Sequence, residues 1–120
     1  MSEPKTHTGG CHCGKVRYEV TLDLAEPAIT CNCSMCGRSG TMLRFVPVDA
    51  FKLLSGADSL TDYHFNQKVI NHQFCRVCGI KSFASGVAPG GVETRAINVR
   101  CLDDVDLSAI STHAYDGKSK

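Results

Sequence analysis

The chain has 120 residues and a mass of 12.9 kDa, which is the size of one domain. Its 13 basic and 12 acidic residues give a net charge of +1, which argues against a nucleic-acid partner bound through a basic face. Hydrophobic residues make up 42% of the chain, which excludes extensive disorder. We therefore expect a single domain, residues 1–120, with an ordered core of about 9–118.

The ends of the sequence carry no targeting or membrane signal. The first ten residues are polar and lack the apolar stretch of a secretory leader. No apolar run approaches the roughly 18 residues needed to cross a bilayer. The sequence thus predicts a cytoplasmic protein with no membrane partner, in which thiols stay reduced. Residues 1–10 and 117–120 are expected to be loose ends.

Strand patterns dominate the rest of the chain. Polar and apolar residues alternate over residues 15–22, which predicts a half-buried strand. Further strands are predicted, in chain order, at residues 41–48, 61–65, 68–74, 80–85 and 95–101. Residues 48–54 and 105–110 are predicted to form short helical turns, and the glycine-rich residues 86–91 a loop. The fold class is therefore predicted as mainly β, with small antiparallel sheets.

Seven of the eight cysteines fall into three clusters, and the eighth, Cys101, stands alone in a predicted strand. The clusters are Cys11-His12-Cys13, Cys31-Asn32-Cys33-Ser34-Met35-Cys36 and Cys75-Arg76-Val77-Cys78. Glycine follows the last two clusters, and it allows backbone N–H groups to turn toward thiolate sulfurs. Zinc requires four ligands in a tetrahedron, and close cysteine pairs from distant segments supply them well. The pattern predicts zinc.

The count of seven allows more than one division of the ligands. One closed site of four thiolates leaves three, and a site with three protein ligands keeps a position for water or substrate, as in catalytic zinc. The natural open site is the middle cluster, Cys31, Cys33 and Cys36. The closed site would then combine the outer clusters, Cys11, Cys13, Cys75 and Cys78. The spacing also allows a zinc ribbon made of Cys33, Cys36, Cys75 and Cys78.

Other uses of these cysteines are less well supported by the pattern. Disulfides are disfavoured because neighbouring Cys-x-Cys residues do not readily bridge each other and the chain reads as cytosolic. A thioredoxin-type redox pair would need a βαβ pattern around it, and none is present. An iron–sulfur cluster is compatible with the count. Cys101 is expected to be a small buried hydrophobic residue.

Four segments together carry a family pattern. They are Gly9-Gly10-Cys11-His12-Cys13-Gly14-Lys15-Val16-Arg17-Tyr18-Glu19-Val20, Cys31-Asn32-Cys33-Ser34-Met35-Cys36, Phe74-Cys75-Arg76-Val77-Cys78-Gly79 and Asn98-Val99-Arg100-Cys101-Leu102-Asp103-Asp104. In these segments the chain resembles the family of glutathione-dependent formaldehyde-activating enzymes, which includes centromere protein V. The similarity extends from Gly9 to about Lys118, and the order and spacing of seven cysteines make it specific.

The resemblance has implications for fold, metal and activity. It implies a β-tent fold pinned by a structural zinc on Cys11, Cys13, Cys75 and Cys78. It implies a second, catalytic zinc on Cys31, Cys33 and Cys36, and so selects the division into four and three ligands over the ribbon. It also implies carbon–sulfur lyase activity, of the kind that joins formaldehyde to glutathione as S-hydroxymethylglutathione.

Two features depart from the family pattern. Gly37 follows the middle cluster, where many members carry a bulky or basic residue, and the chain ends without the tryptophan often found there. Both changes affect the expected substrate pocket. Zinc binding therefore carries over to this chain, whereas the identity of its substrate thiol and aldehyde does not.

The chemistry of a three-thiolate zinc site favours a thiol substrate. Three thiolates leave the Zn²⁺ centre with a net negative charge, which makes it a weak electrophile but a good partner for a soft fourth ligand. Coordination would lower the pKa of a substrate thiol from about 8.5 and keep it as thiolate. The thiolate could then attack a nearby aldehyde carbon, and the reverse step would expel it. The expected activity is lyase chemistry on a small thiol–aldehyde adduct.

A glutathione-like substrate carries two carboxylates, so its pocket should contain cations. Arg38 and Arg44 follow the open site closely and are the best candidates for substrate binding. The weaker candidates are Lys81, Arg95 and Arg100. The alternative is that these arginines are simply exposed to solvent, as a lone arginine usually is.

Several other polar side chains lie near the predicted ligands. His64 or His72 could act as a proton shuttle, although histidines more often have surface or packing roles. His12 lies between two ligands and is expected to point away from the metal. Ser34 is expected to donate a hydrogen bond to a metal-bound sulfur.

Two further functions compete with the enzyme. The first is a non-catalytic zinc module that binds a protein partner, for which a buried, fully ligated second zinc or no second zinc is expected. The second is a chromatin or cytoskeletal binder by analogy with centromere protein V, which the near-neutral charge and the lack of a basic extension disfavour.

Overall fold

The chain folds into two β-sheets with little helix. The computed structural model describes residues 4–32, 34–63, 71–88 and 91–116. Within these ranges one short α-helix, α1, spans Ser34–Ser39. The strands are β1 (Lys5–Gly10), β2 (Arg17–Leu22), β3 (Ala28–Cys31), β4 (Leu43–Pro47), β5 (Phe51–Ser55), β6 (Leu60–Tyr63), β7 (Asn71–Cys75), β8 (Phe83–Ala88), β9 (Val92–Asn98) and β10 (Thr112–Tyr115). Single 3₁₀ turns occupy Val48–Ala50, Ala57–Ser59, Val99–Cys101 and Leu107–Ala109.

The order of the strands confirms the predicted fold class. One sheet contains three strands in the order β1-β2-β5, and the other contains seven in the order β10-β3-β4-β9-β8-β7-β6. Paired strands in the described ranges are antiparallel except for β3 and β10, which are parallel. The domain is therefore mainly β, as its alternating sequence patterns indicate.

The core lies where the two sheets contact each other. In β2 the buried residues Tyr18, Val20 and Leu22 alternate with more exposed neighbours, as the period of two predicts. These side chains belong to one cluster with Val46 and Ile97 of the larger sheet. Burial of such side chains is the main favourable contribution to folding in a chain of this size.

Three aromatic rings join the sheets at the centre of this core. Tyr18, Phe51 and Phe83 come from β2, β5 and β8, and their ring centroids lie 4.8–5.8 Å apart. The hydroxyl of Tyr18 donates a hydrogen bond to the carbonyl oxygen of Ser82 at 3.1 Å. Burial raises the pKa of Tyr18, so the hydroxyl remains a donor at neutral pH. The trio fixes the start of β8 against the smaller sheet.

The expectation of loose residues at the start of the chain is wrong for residues 5–10, and residues 1–3 lie outside the described residues. Residues 5–10 form β1, which pairs with β2 along its full length. Thr8 and the Arg17 guanidinium both hydrogen-bond the carboxylate of Asp103, and the Asp103 amide donates to the Thr8 carbonyl at 2.8 Å. These hydrogen bonds lower the pKa of Asp103. Strand β1 is stabilised by backbone pairing and by the contacts with Asp103, and not by apolar side chains. The sequence therefore has no hydrophobic pattern that would predict this strand.

Other boundaries also differ from the predictions. Residues 48–54 form one 3₁₀ turn followed by β5, because only Val48–Ala50 has helical hydrogen bonding. Cys101 ends a 3₁₀ turn and is half-buried, so it is neither in a strand nor a fully buried hydrophobic residue. The predictions for Cys33, His64, residues 68–70, 89–90 and 117–120 lie outside the described residues. No helix in the described ranges is long and apolar enough to cross a membrane.

Replacing Phe83 with alanine should destabilise the protein by about 3–5 kcal/mol, because it removes a buried ring from the contact between the sheets. Val87 lies on the same strand and is 52% exposed, so Val87→Ala should change the free energy of unfolding by no more than about 0.5 kcal/mol. Urea unfolding of the metal-loaded variants, followed by circular dichroism, measures both changes. Equal losses in the two variants would contradict this location of the core.

Candidate metal centre and flanking clefts

Four cysteine side chains from two distant loops meet at one point. Cys11 and Cys13 lie in the loop between β1 and β2, and Cys75 and Cys78 lie at the end of β7 and in the following turn. Their Sγ atoms all lie within 4.8 Å of one another. The separations are 3.5 Å between Cys11 and Cys13 and 3.6 Å between Cys13 and Cys75. We call this group the sulfur cluster.

The dimensions of the sulfur cluster suit a tetrahedral metal. With a Zn–S bond of about 2.3 Å, the edge of a ZnS₄ tetrahedron is about 3.8 Å, close to the observed S–S separations. These separations are much longer than the roughly 2.05 Å of a disulfide. Cys11, Cys13, Cys75 and Cys78 form no disulfide with one another. The cluster can therefore hold a metal ion, and its all-sulfur donor set favours a soft or borderline metal such as zinc.

The two loops surround their sulfurs with the same backbone arrangement. Gly14 and Gly79 follow the last cysteine of each loop and have φ angles of 84° and 80°, a conformation in which other residues are strained. The next residues, Lys15 and Ile80, direct their backbone N–H groups at the sulfurs of Cys13 and Cys78. Such N–H groups stabilise negative charge on sulfur.

Further backbone donors complete this environment. The amide of Val16 lies 3.4 Å from the Cys11 sulfur, and the amide of Val77 lies 3.4 Å from the Cys75 sulfur. The Cys13 amide also donates to Cys78, so the first loop supports a ligand of the second. Both loops are thus built to carry thiolates, the protonation state that binds metal.

The four thiols influence one another's ionisation. Burial raises the pKa of Cys78, but hydrogen bonds from the Cys13 and Ile80 amides and from neighbouring thiols lower it to about 6. The Lys15 amide lowers the pKa of Cys13, but burial and the three other sulfurs outweigh it and raise the pKa to about 11. One thiol therefore ionises at the expense of another. A divalent cation among them would remove this competition by offsetting the charges.

The sulfur cluster uses the cysteine pair on which the alternative zinc ribbon depends. Cys75 and Cys78 lie with Cys11 and Cys13, in the arrangement that a division into four and three ligands requires. Cys31 ends β3 and Cys36 lies in α1, so the middle cluster belongs to a different part of the fold. Cys33 lies outside the described residues.

Helix α1 lies between two clefts. Cys36 packs on the larger sheet against Leu43, Ala84 and Ala96. A cleft of about 320 Å³, the larger cleft, separates α1 from the turn of the sulfur cluster; it is lined by Met35, Ser39, Phe74, Gly79, Ile80, Lys81 and Asn98. The smaller cleft, of about 220 Å³, is lined by Ser34, Met35, Arg38 and Tyr63. Met35 contributes to the lining of both clefts.

The two arginines predicted to bind substrate have different surroundings. Arg38 is exposed, lines the smaller cleft and donates to the Ser34 carbonyl at 3.2 Å. The Arg44 guanidinium donates to the carbonyls of Asp23 and Glu26 at 2.6 and 3.3 Å, and to the Glu26 carboxylate at 3.1 Å. Arg44 thus holds the 23–26 turn against β4 and lines neither cleft.

Lys81, a weaker candidate for substrate binding, lies beside His72, a candidate proton shuttle. The ammonium nitrogen of Lys81 lies 2.7 Å from Nδ1 of His72, and both residues are buried. Lys81 lines the larger cleft, whereas Arg95 is half-buried in β9 and Arg100 is exposed. His12 is exposed beside the sulfur cluster. The pairing of Lys81 with His72 and the cleft positions of Tyr63 and Asn98 carry no local sequence signal, because each depends on how separate strands align.

Cys75→Ser should remove one equivalent of bound zinc and lower the stability of the protein, since hydroxyl oxygen is a poor replacement for a thiolate ligand. Cys101→Ala is the matched control, because Cys101 lies outside the sulfur cluster, and it should retain the full metal content. Metal content by elemental analysis and thermal unfolding by circular dichroism provide the readouts. A Cys75→Ser protein with undiminished zinc would contradict the assignment.

Gly79→Ala should destabilise the metal-loaded protein by about 1–2 kcal/mol, because an L-residue is strained at its φ of 80° even though a Cβ would meet no atom within 4 Å. Gly37→Ala is the control: it lies inside α1, its added Cβ would be 3.7 Å from the nearest atom, and it should be neutral or stabilise by up to about 1 kcal/mol. Urea unfolding distinguishes the two. Equal effects would show that the turn tolerates a side chain.

Comparison with known proteins agrees with this architecture. A crystal structure of a Rhodobacter sphaeroides protein, a Northeast Structural Genomics target, is similar with a TM-score of 0.78 and 31% sequence identity. The match covers 89% of this chain and 97% of that chain. The family model described as glutathione-dependent formaldehyde-activating enzyme matches residues 6–117, a range that includes the sulfur cluster, α1 and both clefts. The chain therefore belongs to the family of glutathione-dependent formaldehyde-activating enzymes.

Proposed function

We propose that this chain is a zinc-dependent carbon–sulfur lyase that forms and cleaves an adduct between a small thiol such as glutathione and an aldehyde such as formaldehyde. The observation that carries the proposal is the separation of the cysteines. Four sulfurs form a compact cluster between two loops. Of the middle cluster, Cys31 ends β3 and Cys36 lies in α1, the helix that lines two clefts large enough to admit a small molecule.

We assign the two groups of cysteines different tasks. Cys11, Cys13, Cys75 and Cys78 would hold a structural zinc, because four thiolates close its coordination sphere. Cys31, Cys33 and Cys36 would hold a second zinc with one position open. When bound there, zinc would supply a site for the substrate thiol and favour its thiolate form. The family membership supports both assignments.

The chain's own side chains would bind and orient the substrate. Arg38 lines the smaller cleft and is exposed, so its guanidinium can pair with a carboxylate of a glutathione-like thiol. Met35 contributes apolar surface to both clefts and would exclude water from the side of the reacting sulfur. Arg44 has no part in this proposal, because its guanidinium is engaged by the 23–26 turn.

The proposed location is the cytosol. The reaction needs a free thiol on the substrate and thiolates on the protein, and both persist in a reducing compartment. The four cysteines of the sulfur cluster form no disulfide, which suits that environment.

Cys36→Ala should reduce zinc from two equivalents to one and lower thiol-dependent consumption of formaldehyde by at least about 100-fold, because it removes a ligand of the second site. Alanine suits this helical position and the contacts of Cys36 with Leu43 and Ala84, so the fold should persist. Formaldehyde loss in the presence of glutathione, measured beside elemental analysis, is the assay.

The control for this experiment is Cys101→Ala, which also removes one thiol but lies outside both proposed ligand sets. It should retain two zinc equivalents and the activity of the unsubstituted protein. The proposal would be overturned by a Cys36→Ala protein that holds one zinc and still turns over at the original rate.

A further inference from the structure

The wall of the larger cleft contains a buried cation. Lys81 is only 9% exposed, yet it is one of the residues that line the cleft, together with Met35 and Ser39 of α1. Lysine is almost always found at the surface, because its ammonium loses hydration when it is buried. A lysine held below the surface and beside a cleft is a candidate for contact with a bound ligand.

Hydrogen bonds hold both the side chain and the backbone of Lys81. Its ammonium nitrogen lies 2.7 Å from Nδ1 of His72 on β7, a residue that is 4% exposed. Its backbone carbonyl accepts a hydrogen bond from the Asn98 side-chain amide at 3.0 Å. The Asn98 side-chain oxygen accepts in turn from the backbone amides of Met42 and Arg100. These contacts restrict where the ammonium can lie, which is the requirement for a preorganised donor.

Lys81 lines the same cleft as the helix that carries part of the second cysteine group. Met35 and Ser39 are four residues apart, so they lie on one face of α1, and both line the larger cleft together with Lys81. Cys36 directly follows Met35 in α1. With a substrate thiol held by the middle cluster, this cleft is where we expect the thiol to meet an aldehyde.

We propose that Lys81 is a catalytic residue that donates a hydrogen bond and then a proton to the aldehyde oxygen, and that His72 is a positioning residue that orients its ammonium. This inference rests on the lyase function proposed above. His72 does not line the larger cleft, so it acts through Lys81 and has no direct contact with the substrate.

The step balances without any further reactant. The substrate thiolate forms a carbon–sulfur bond to the carbonyl carbon, and the π electron pair of the C=O bond moves to oxygen. The Lys81 ammonium stabilises the developing alkoxide and transfers a proton to it, giving the hydroxymethyl thioether. The substrate thiol releases its proton to water when it becomes thiolate. Water then delivers a proton to the Lys81 amine, so the complete step neither consumes nor releases a proton. In the lyase direction, the amine accepts the hydroxyl proton and the thiolate leaves.

The first test replaces Lys81 with methionine, which preserves the length of the side chain and removes its charge. We expect kcat for formaldehyde consumption with glutathione to fall about 100-fold, while KM for glutathione changes less than about threefold. Lys81→Arg, which keeps the charge, should recover part of kcat. Lys52→Met is the matched control, because Lys52 is exposed on β5 of the other sheet, and it should retain the original kcat.

The second test examines positioning by His72. His72→Leu removes the acceptor beside the ammonium, and we expect kcat to fall about tenfold with little change in KM. His72→Asn places an oxygen acceptor near the former Nδ1 atom and should restore most of kcat. A purely structural histidine would give the same kcat in both folded variants, so this rescue separates the two roles.

The outcomes that overturn the inference differ from those that overturn the function. An unsubstituted protein with two zinc equivalents and no activity on thiol and aldehyde overturns the proposed function. An active protein whose folded Lys81→Met variant keeps kcat within about threefold overturns the role of Lys81 alone. If circular dichroism shows that Lys81→Met does not fold, the histidine pair decides: equal kcat values in His72→Leu and His72→Asn overturn the inference.

Discussion

The sulfur cluster is the contact on which the remaining architecture depends. It joins the loop between β1 and β2, at the edge of the smaller sheet, to the turn after β7 in the larger sheet. A 120-residue chain buries a modest core, so a bound ion that crosslinks its two sheets would contribute a large share of its stability. The same turn continues through Gly79 and Ile80 to Lys81, and these residues form one wall of the larger cleft. The positions of the cluster and of the cleft wall are therefore coupled.

The opposite wall of the cleft has a different origin. Helix α1 has six residues, none of them buried, and a helix this short is not stable by its own hydrogen bonds. It is held by the contact of Cys36 with Leu43, Ala84 and Ala96 on the sheet. A metal bound by cysteines before and within α1 would join its first turn to the end of β3. The two cysteine groups would thus each fix one wall of the same cleft.

The sequence predicts most strongly what is encoded locally. Alternation in residues 17–22 indicates β2 because one face of that strand is buried, whereas β1 has no such alternation and is held by backbone pairing and the Asp103 carboxylate. Cysteine spacing identifies the pairs that could bind a metal, because each pair is local. Which pairs meet depends on strand order, so spacing alone leaves the ribbon open. The sequence does not predict helix α1, because its six residues have weak helical propensity and the helix is stabilised by packing on the sheet.

Closeness in sequence to the middle cluster does not decide which cations line the clefts, because their positions depend on long-range contacts. Arg38 and Arg44 are close to the middle cluster in sequence, yet only Arg38 lines a cleft, because the turn at Asp23 and Glu26 engages Arg44. Lys81 is remote in sequence and lines the other cleft. A thiol with two carboxylates could extend past Met35 toward Arg38 on one side of α1. The aldehyde would then lie on the other side, where the buried Lys81 lines the cleft and would contact the oxygen that gains charge.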